Sequence, residues 1–488
     1  MLTKRALDAA RSAYVGLPPS VRRTVGPILQ LLPVRLRFGR SYFEWRQAIA
    51  DARRHPEKVA DRQRSALMRV LQLARDKSPY YRGTLSGIVS AAGGLDAVIA
   101  SEHWSRIPVI DGSVVRREGE RMCTRSTDEL DSCSTAGSSG RPLTFFLDKN
   151  RSPIEYAFVM DAWSAAGCTE EDWQATFRGF YNPDPATTPC EVESGLKELR
   201  FSVFHMTDDL MPRYLAEIEQ RAIAFLKGYP SSLANLAAFA LRAGLVNERI
   251  RGILLHSEYV HSRYRQILSR AFPNARILSF YGLSEKCAFA VEVADRPGEY
   301  DFDPIYGLTE LLDDSDRPIT TPGARGRIVS TGLLFNGMPF IRYATGDEGV
   351  LVAAASEANG WRMRLSGVTP RYTDEFVVTR SGNLFHVGVL FMADDELSAI
   401  TDLQFEQSEP GELHVRCVLA PGRNPPATRD FIRMVRDRTG GEMNLHVTIV
   451  DRIPLSPRGK RPLLIQHLDT QRFGGGLLEE CRETLMTE

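Results

Sequence analysis

Between residues 170 and 345, short apolar runs alternate with stretches whose apolar residues recur every three or four positions. Ile253-Leu254-Leu255 reads as a buried strand, and Ile277-Leu278-Ser279-Phe280 as a second that ends at Tyr281-Gly282. Ser231 is placed to cap a helix through Leu233, Leu236 and Phe239, and His256-Ser257-Glu258 to open the next one. Such alternation builds a sheet with helices on its faces, and ligands collect at the loops beyond the strand ends. Upstream, residues 40–100 are mostly helical in pattern. Leu67, Val70, Leu71 and Ala74 lie on one helical face, and this helix should stop before Ser78-Pro79. The aromatics of Pro79-Tyr80-Tyr81-Arg82 are expected to pack on the main body. Asp111-Gly112 reads as a turn, and the stretch through Tyr156, Val159 and Trp163 as a helix.

The pattern changes near residues 367–375, where Gly367, Pro370 and Arg371-Tyr372-Thr373-Asp374 read as a linker. Strand-like runs follow at Phe376 to Val378, Leu403 to Phe405 and Leu413 to Leu419, the last two joined by Pro410-Gly411. A helix over Arg429 to Arg438 and a strand over Leu445 to Val450 complete a small α+β domain. The expected fold class is therefore α/β, with a large N-terminal domain over 1–370 and a smaller one over 371–488. No internal repeat and no low-complexity tract interrupts this plan.

Composition narrows the partners. With 488 residues the chain is too long for one ordinary core. Its 61 Lys and Arg balance 61 Asp and Glu, so nothing drives bulk attraction to nucleic acid. Seven scattered cysteines, none in a C-x-x-C pair, argue for reduced thiols in a cytoplasmic protein and against a disulfide frame or a zinc site. No apolar run approaches the ~20 residues of a membrane span. Residues 1–54 carry eleven Lys and Arg against three Asp and Glu, so residues 1–60 read as a basic helical extension. It either packs on the body, the favoured reading, or makes peripheral contact with a membrane.

Four polar stretches can carry chemistry. Ser134-Thr135-Ala136-Gly137-Ser138-Ser139-Gly140-Arg141-Pro142 holds hydroxyls and glycines but no large apolar residue. It is either a surface loop or an anion cradle of N–H groups and hydroxyls, hung from the strand that begins at Leu143. Tyr281-Gly282-Leu283-Ser284-Glu285 sets a ring, a hydroxyl and a carboxylate just after a strand. Arg342-Tyr343-Ala344-Thr345-Gly346-Asp347 ends in a carboxylate suited to the two hydroxyls of a ribose. Pro454-Leu455-Ser456-Pro457-Arg458-Gly459-Lys460 holds a lysine on a loop stiffened by two prolines. Taken singly, each is as readily a turn or a solvated surface loop.

In their order and content these four stretches resemble the adenylate-forming superfamily, which includes the acyl-CoA synthetases. The likeness spans residues 60 to 470. It is nearest the phenylacetate–CoA ligase-like branch, which Pro79 to Arg82, Phe177-Arg178-Gly179, Gly228 to Ser232 and Met338 to Tyr343 resemble. The resemblance implies a multi-sheet adenylating N-terminal domain and a mobile C-terminal one. It implies ATP-dependent activation of a small carboxylic acid to an acyl-adenylate, with Mg²⁺, followed by transfer to CoA. Thr135, Gly137, Ser138, Ser139 and Gly140 would hold the β- and γ-phosphates. Glu285 would hold Mg²⁺, Ser284 the α-phosphate, and Tyr281 with Gly282 would lie against the adenine. His256, Ser257 and Glu258 would line that pocket, and Asp347 would bind the ribose, helped by Arg371. Lys460 would bridge the carboxylate and the α-phosphate. Asp374 would be the hinge, and Phe204, His205 and Tyr229 would face the acid. Branch members are often homodimers.

The chain departs from the family pattern at Ala136, at Ser139 and at Pro370, which stands where the hinge has glycine. Some members of the branch hold zinc through Cys and His after the Tyr-Gly motif; here Val291-Glu292-Val293 has no histidine nearby, so no structural metal is expected. Two further readings stand beside the CoA ligase: acyl transfer to an amine, a hydroxyl or a carrier-protein thiol, and a non-catalytic nucleotide-binding relative. A serine hydrolase is set aside because no Gly-x-Ser-x-Gly occurs.

Overall fold

The computed structural model describes residues 14, 17, 19–29, 34–100, 102–135, 143–180, 182, 184–260, 262–369, 376–387, 390, 400–419, 426–453, 463–470 and 473. The glycine loop at 136–142, the hinge at 370–375 with Arg371 and Asp374, and the lysine loop at 454–462 with Lys460 lie outside the described residues. So does the 370/371 boundary.

The chain begins with helices α1 (Pro19–Leu29), α2 (Val34–Arg54, broken at Gly39), α3 (Val59–Lys77), α4 (Pro79–Ala92) and α5 (Leu95–Ala100). In α3 the face of Leu67, Val70, Leu71 and Ala74 is buried. The helix ends where proline forces its predecessor out of the α region: Ser78 is extended, and its hydroxyl accepts from Tyr81 N at 3.3 Å to cap α4. Asp111 does not make a simple turn. It caps α6 (Gly112–Glu118), accepting from the N–H groups of Ser113 and Val114 at 2.9 and 3.1 Å.

A hairpin of β1 (Leu130–Thr135) and β2 (Leu143–Asp148) leads to α7 (Arg151–Ser164). The basic arm packs here: Asp161 of α7 takes Arg46 of α2 at 3.1 Å and also Arg53, and Arg37 pairs with Glu171 at 2.7 Å. Several of the arm's cations are therefore matched to carboxylates of the body.

Next come β3 (Gln174–Arg178), β4 (Glu191–Glu193), β5 (Glu198–Ser202), α8 (Met211–Gln220), β6 (Phe225–Gly228), α9 (Pro230–Arg242), β7 (Gly252–Leu255), α10 (Ser262–Ala271) and β8 (Arg276–Gly282). Strands β5, β3, β6, β7 and β8 lie side by side and parallel. Ile253-Leu254-Leu255 is buried on both faces, as a central parallel strand requires.

Strand β8 also pairs antiparallel with β9 (Phe289–Glu292). It thereby joins the parallel block to an antiparallel one: β10 (Glu299–Phe302), β11 (Gly307–Leu312), β12 (Arg325–Gly332), β13 (Tyr343–Ala353) and β14 (Arg364–Thr369). The twelve-stranded path runs β11-β12-β13-β14-β10-β9-β8-β7-β6-β3-β5-β4. Gly367, read as linker, is inside β14.

Beyond it, β15 (Phe376–Val378) pairs with β16 (Leu384–His386). Strands β17 (Ile400–Glu409) and β18 (Glu412–Leu419) turn at Pro410-Gly411, followed by α11 (Pro426–Arg438), β19 (Asn444–Ile449) and β20 (Leu464–Gln466). The last sheet runs β19-β18-β17-β20. One hydrophobic cluster is continuous from Phe177, Phe204 and Leu233 to Phe385, Leu403 and Val415. Among the described residues no helix is long and apolar enough to cross a membrane.

Candidate functional site

The parallel strands all end at one edge, where β3, β5, β6, β7 and β8 deliver Arg178, Ser202, Gly228, Leu255 and Gly282. Close approach sets this edge. A methyl group at Gly228 would lie 2.1 Å from Phe177 O, so only glycine allows β6 to lie against β3 there. The next residue, Tyr229, bonds Phe177 O through its N–H at 3.0 Å, and its phenol oxygen accepts from Gly179 N at 3.4 Å. Tyr229 is buried, and burial pushes its hydroxyl up to about 12.

Beyond β7, His256 does not open a helix; α10 begins only at Ser262. The stretch 256–258 is a loop in which Ser257 is left-handed at φ +70°. The imidazole of His256 stacks on Phe280 at 6.1 Å and meets Tyr229 edge-on at 5.8 Å. Burial first, then the charges of Arg178 and Lys227, hold it neutral, down at about 3.

Ser231 also departs from expectation. The cap position of α9 is Tyr229, with no side-chain cap. Ser231 instead donates its N–H and hydroxyl to the two carboxylate oxygens of Glu258, each at 3.1 Å. Burial outweighs those donors and raises Glu258 from an ordinary 4.5 to about 7. The folded protein thus keeps a proton that the unfolded chain has released above 4.5. The resulting stability is full below that value and is lost as the pH rises through 7. Thermal melting should therefore show Glu258→Gln gaining on the parent protein as the pH rises from about 4.5 to about 7, the interval between the two values, and levelling off beyond it. A difference independent of pH would contradict it.

The densest part of the site joins two stretches far apart in sequence. Tyr281, at the end of β8, donates its hydroxyl to Asp347 Oδ2 of β13 at 2.6 Å. In return Tyr343 of β13 donates to Glu285 Oε1, just past β8, at 2.8 Å. Each stretch thus supplies a phenol to the other's carboxylate. Asp347 N is held by Thr345 Oγ1 at 3.1 Å, and that hydroxyl donates to Ile328 O at 3.1 Å. Asp347 and Glu285 are both half-buried. Burial raises the carboxyl of Glu285 above its usual range, so a cation beside it would be welcome. Among the described residues no group of three His, Cys, Asp or Glu could hold a metal. A single carboxylate completed by phosphate oxygens is nonetheless an ordinary Mg²⁺ arrangement, and Glu285 fits it.

The base of the glycine loop stands close by. Thr135 and Leu143, which flank it, are paired across β1 and β2. Phe145 of β2 meets Phe340 edge-on at 5.8 Å, and Phe340 meets Tyr343 at 5.0 Å. Gly282 and Ser284 are exposed beside Glu285. Phe204 and His205 stand elsewhere on the strand edge, against the C-terminal segment. Phe204 packs edge-on to Phe385 at 5.8 Å, and a methyl group at Gly440 would come within 2.5 Å of His205 Nε2. Among the described residues, sequence reasoning missed Tyr343 as the partner of Glu285, although it lies inside a matched motif. It also missed Ser231 as the partner of Glu258.

The fold is similar to a crystal structure of 2-hydroxyisobutyryl-CoA ligase in complex with 2-HIB-AMP and CoA in the thioesterification state. The TM-score is 0.51 at 16% identity, covering 87% of this chain and 92% of that one. In sequence the chain is similar to Protein CapK of Staphylococcus aureus, 19% identical over 387 residues, 76% of this chain and 82% of that protein. No protein-family model matches.

Proposed function

We propose that this chain is an AMP-forming ligase that activates a carboxylic acid with ATP and passes the acyl group to the thiol of CoA. The observation that carries the reading is the reciprocal bracing of Tyr281 with Asp347 and of Tyr343 with Glu285. It brings together, at one edge of the sheet, the two carboxylates that this reading assigns to the ribose and to the metal. The similar ligase fold, captured in that protein with an acyl-adenylate and CoA, supports it.

In the first step a carboxylate oxygen of the acid attacks the α-phosphorus, the bond to the bridging oxygen breaks, and pyrophosphate leaves. In the second, the thiolate attacks the acyl carbon and AMP leaves. Such chemistry depends on positioning and charge neutralisation. Asp347 would take the ribose hydroxyls, the Tyr281 ring the adenine, and Ser284 the α-phosphate. Thr135 and the glycine loop would take the remaining phosphates. Mg²⁺ held by Glu285 would offset phosphate charge. His256, kept neutral, can offer one ring N–H without adding a cation.

The phenylacetate–CoA ligase-like branch is the finer reading. Four stretches resemble that branch, and they meet in pairs. Tyr81 donates to Pro339 O at 3.0 Å and accepts from Ile341 N at 3.3 Å, while Tyr229 is held by Phe177 and Gly179.

The test is pyrophosphate release over a panel of carboxylic acids, with and without CoA. Acid-dependent release with a CoA thioester as product is the expected result. An adenylate formed without thioester would move the acceptor to an amine, hydroxyl or carrier thiol, and no release with any acid would leave only a nucleotide-binding relative. A second expectation concerns Tyr281. A hydrogen bond to a charged acceptor is worth about 1.5–3 kcal/mol, so Tyr281→Phe should weaken ATP and AMP binding by about tenfold or more although the ring remains. Unchanged nucleotide affinity by calorimetry would mean that the ring alone matters.

A further inference from the structure

The residue after Glu285 carries a feature that the reaction does not require. Lys286 is a lysine in left-handed backbone, φ +57°, closing a turn in which its N–H bonds Leu283 O at 3.2 Å. A side chain disfavours that conformation, so something must hold it. Its ammonium reaches back to Glu155 Oε1 on α7 at 2.9 Å, and the other oxygen of Glu155 accepts from the Tyr306 hydroxyl at 2.5 Å. Both partners are substantially covered, with side-chain exposures of 25% for Lys286 and 17% for Glu155. Such a pair is less exposed to screening than one on the open surface.

The far side of the turn is fixed too. Cys287 is fully buried, its carbonyl accepts from Ser330 Oγ at 3.0 Å, and a methyl group at Gly307 would lie 2.2 Å from that carbonyl oxygen. Helix α7 is itself tied to α2 through Asp161. The backbone carrying Glu285 therefore runs straight into a strained residue clamped from one side and a carbonyl wedged from the other.

We propose that Lys286, Glu155 and Tyr306 are positioning residues that set the direction of the Glu285 carboxylate. They act through the turn and touch neither nucleotide nor metal. With the ammonium released, Lys286 can relax toward the right-handed region, and Glu285 turns from its bond with Tyr343. This rests on the reading of Glu285 as the Mg²⁺ carboxylate.

The test compares calorimetric binding of MgATP with that of ATP in excess EDTA. Partners one shell out from a metal typically change its affinity 10–100-fold, so Lys286→Met and Glu155→Gln should each weaken MgATP binding by about tenfold or more. Metal-free ATP binding should stay within about twofold, and Lys286→Arg, which can still reach Glu155, should recover most of the loss. Unchanged MgATP affinity, or an equal loss with and without metal, would overturn the proposal and leave the clamp as mere scaffolding. Should Lys286→Met fail to fold, Tyr306→Phe removes one hydroxyl only and carries the same expectation in weaker form. The parent protein is measured first: if it binds ATP equally with and without Mg²⁺, the role of Glu285 falls, whatever the variants do.

Discussion

Glu285→Gln should lower acid-dependent pyrophosphate release by about 10²–10³-fold, the usual cost of removing one group that stabilises transition-state charge. The amide keeps the volume of the side chain and can still accept from Tyr343 at the position of Oε1, where the hydroxyl now sits 2.8 Å away. What it loses is charge. Burial already raises the carboxyl of Glu285, so the ionised form needs a cation nearby to be worth holding. The loss should therefore appear in kcat and in the Mg²⁺ requirement, with metal-free ATP binding little changed. Tyr343→Phe leaves the charge and removes its orientation, so its effect should be smaller, about tenfold. Release by Glu285→Gln at close to the parent rate would remove the carboxylate from the reaction.

Why the site could be read only in part from sequence follows from where its bonds lie. The buried strand at 253–255 and the one ending at 281–282 show as local apolar runs, and they stand where the pattern put them. Asp347 closes a polar stretch in the sequence, yet it lies within β13, whose pairing with β12 shifts register nearby. That shift depends on a partner strand and leaves no trace in a local window. Ser231 has the composition of a helix cap, but its hydroxyl was taken by a carboxylate 27 residues away. The same holds for His256 to Glu258, whose polar start resembles a helix opening until Ser257 adopts φ +70°.

Residue types therefore suggest a chemistry, while the pairings that join those residues are long-range. Tyr281 meets Asp347 across 66 positions and Tyr343 meets Glu285 across 58, distances at which no periodicity argument reaches. A motif names which groups are present; the fold decides which of them a phenol orients. For that reason Tyr281, whose ring the resemblance would set against an adenine, also makes a bond to Asp347 that only its hydroxyl can make.

Lys460→Ala should abolish pyrophosphate exchange, again by about 10²–10³-fold, with little change in ATP affinity. An acid carboxylate approaching the α-phosphate brings two anions together, and a flexible ammonium is suited to bridging them. From sequence alone, Pro454 and Pro457 are expected to restrict the loop and Gly459 to allow a turn just before the lysine. The loop is tethered at both ends by buried residues, Ile453 and Leu463, and Leu463 O accepts from Phe405 N of β17 at 2.7 Å. Removing the ammonium at 460 leaves those anchors in place, so a lost exchange reads as lost chemistry and not as lost folding. The second half-reaction supplies the control. If Lys460 bridges the two anions only while the phosphoryl bond forms, the variant should still convert a supplied acyl-adenylate and CoA to thioester. Exchange at near-parent rates would defeat the role given to Lys460, and equal loss in both half-reactions would show that it serves the nucleotide pocket as a whole.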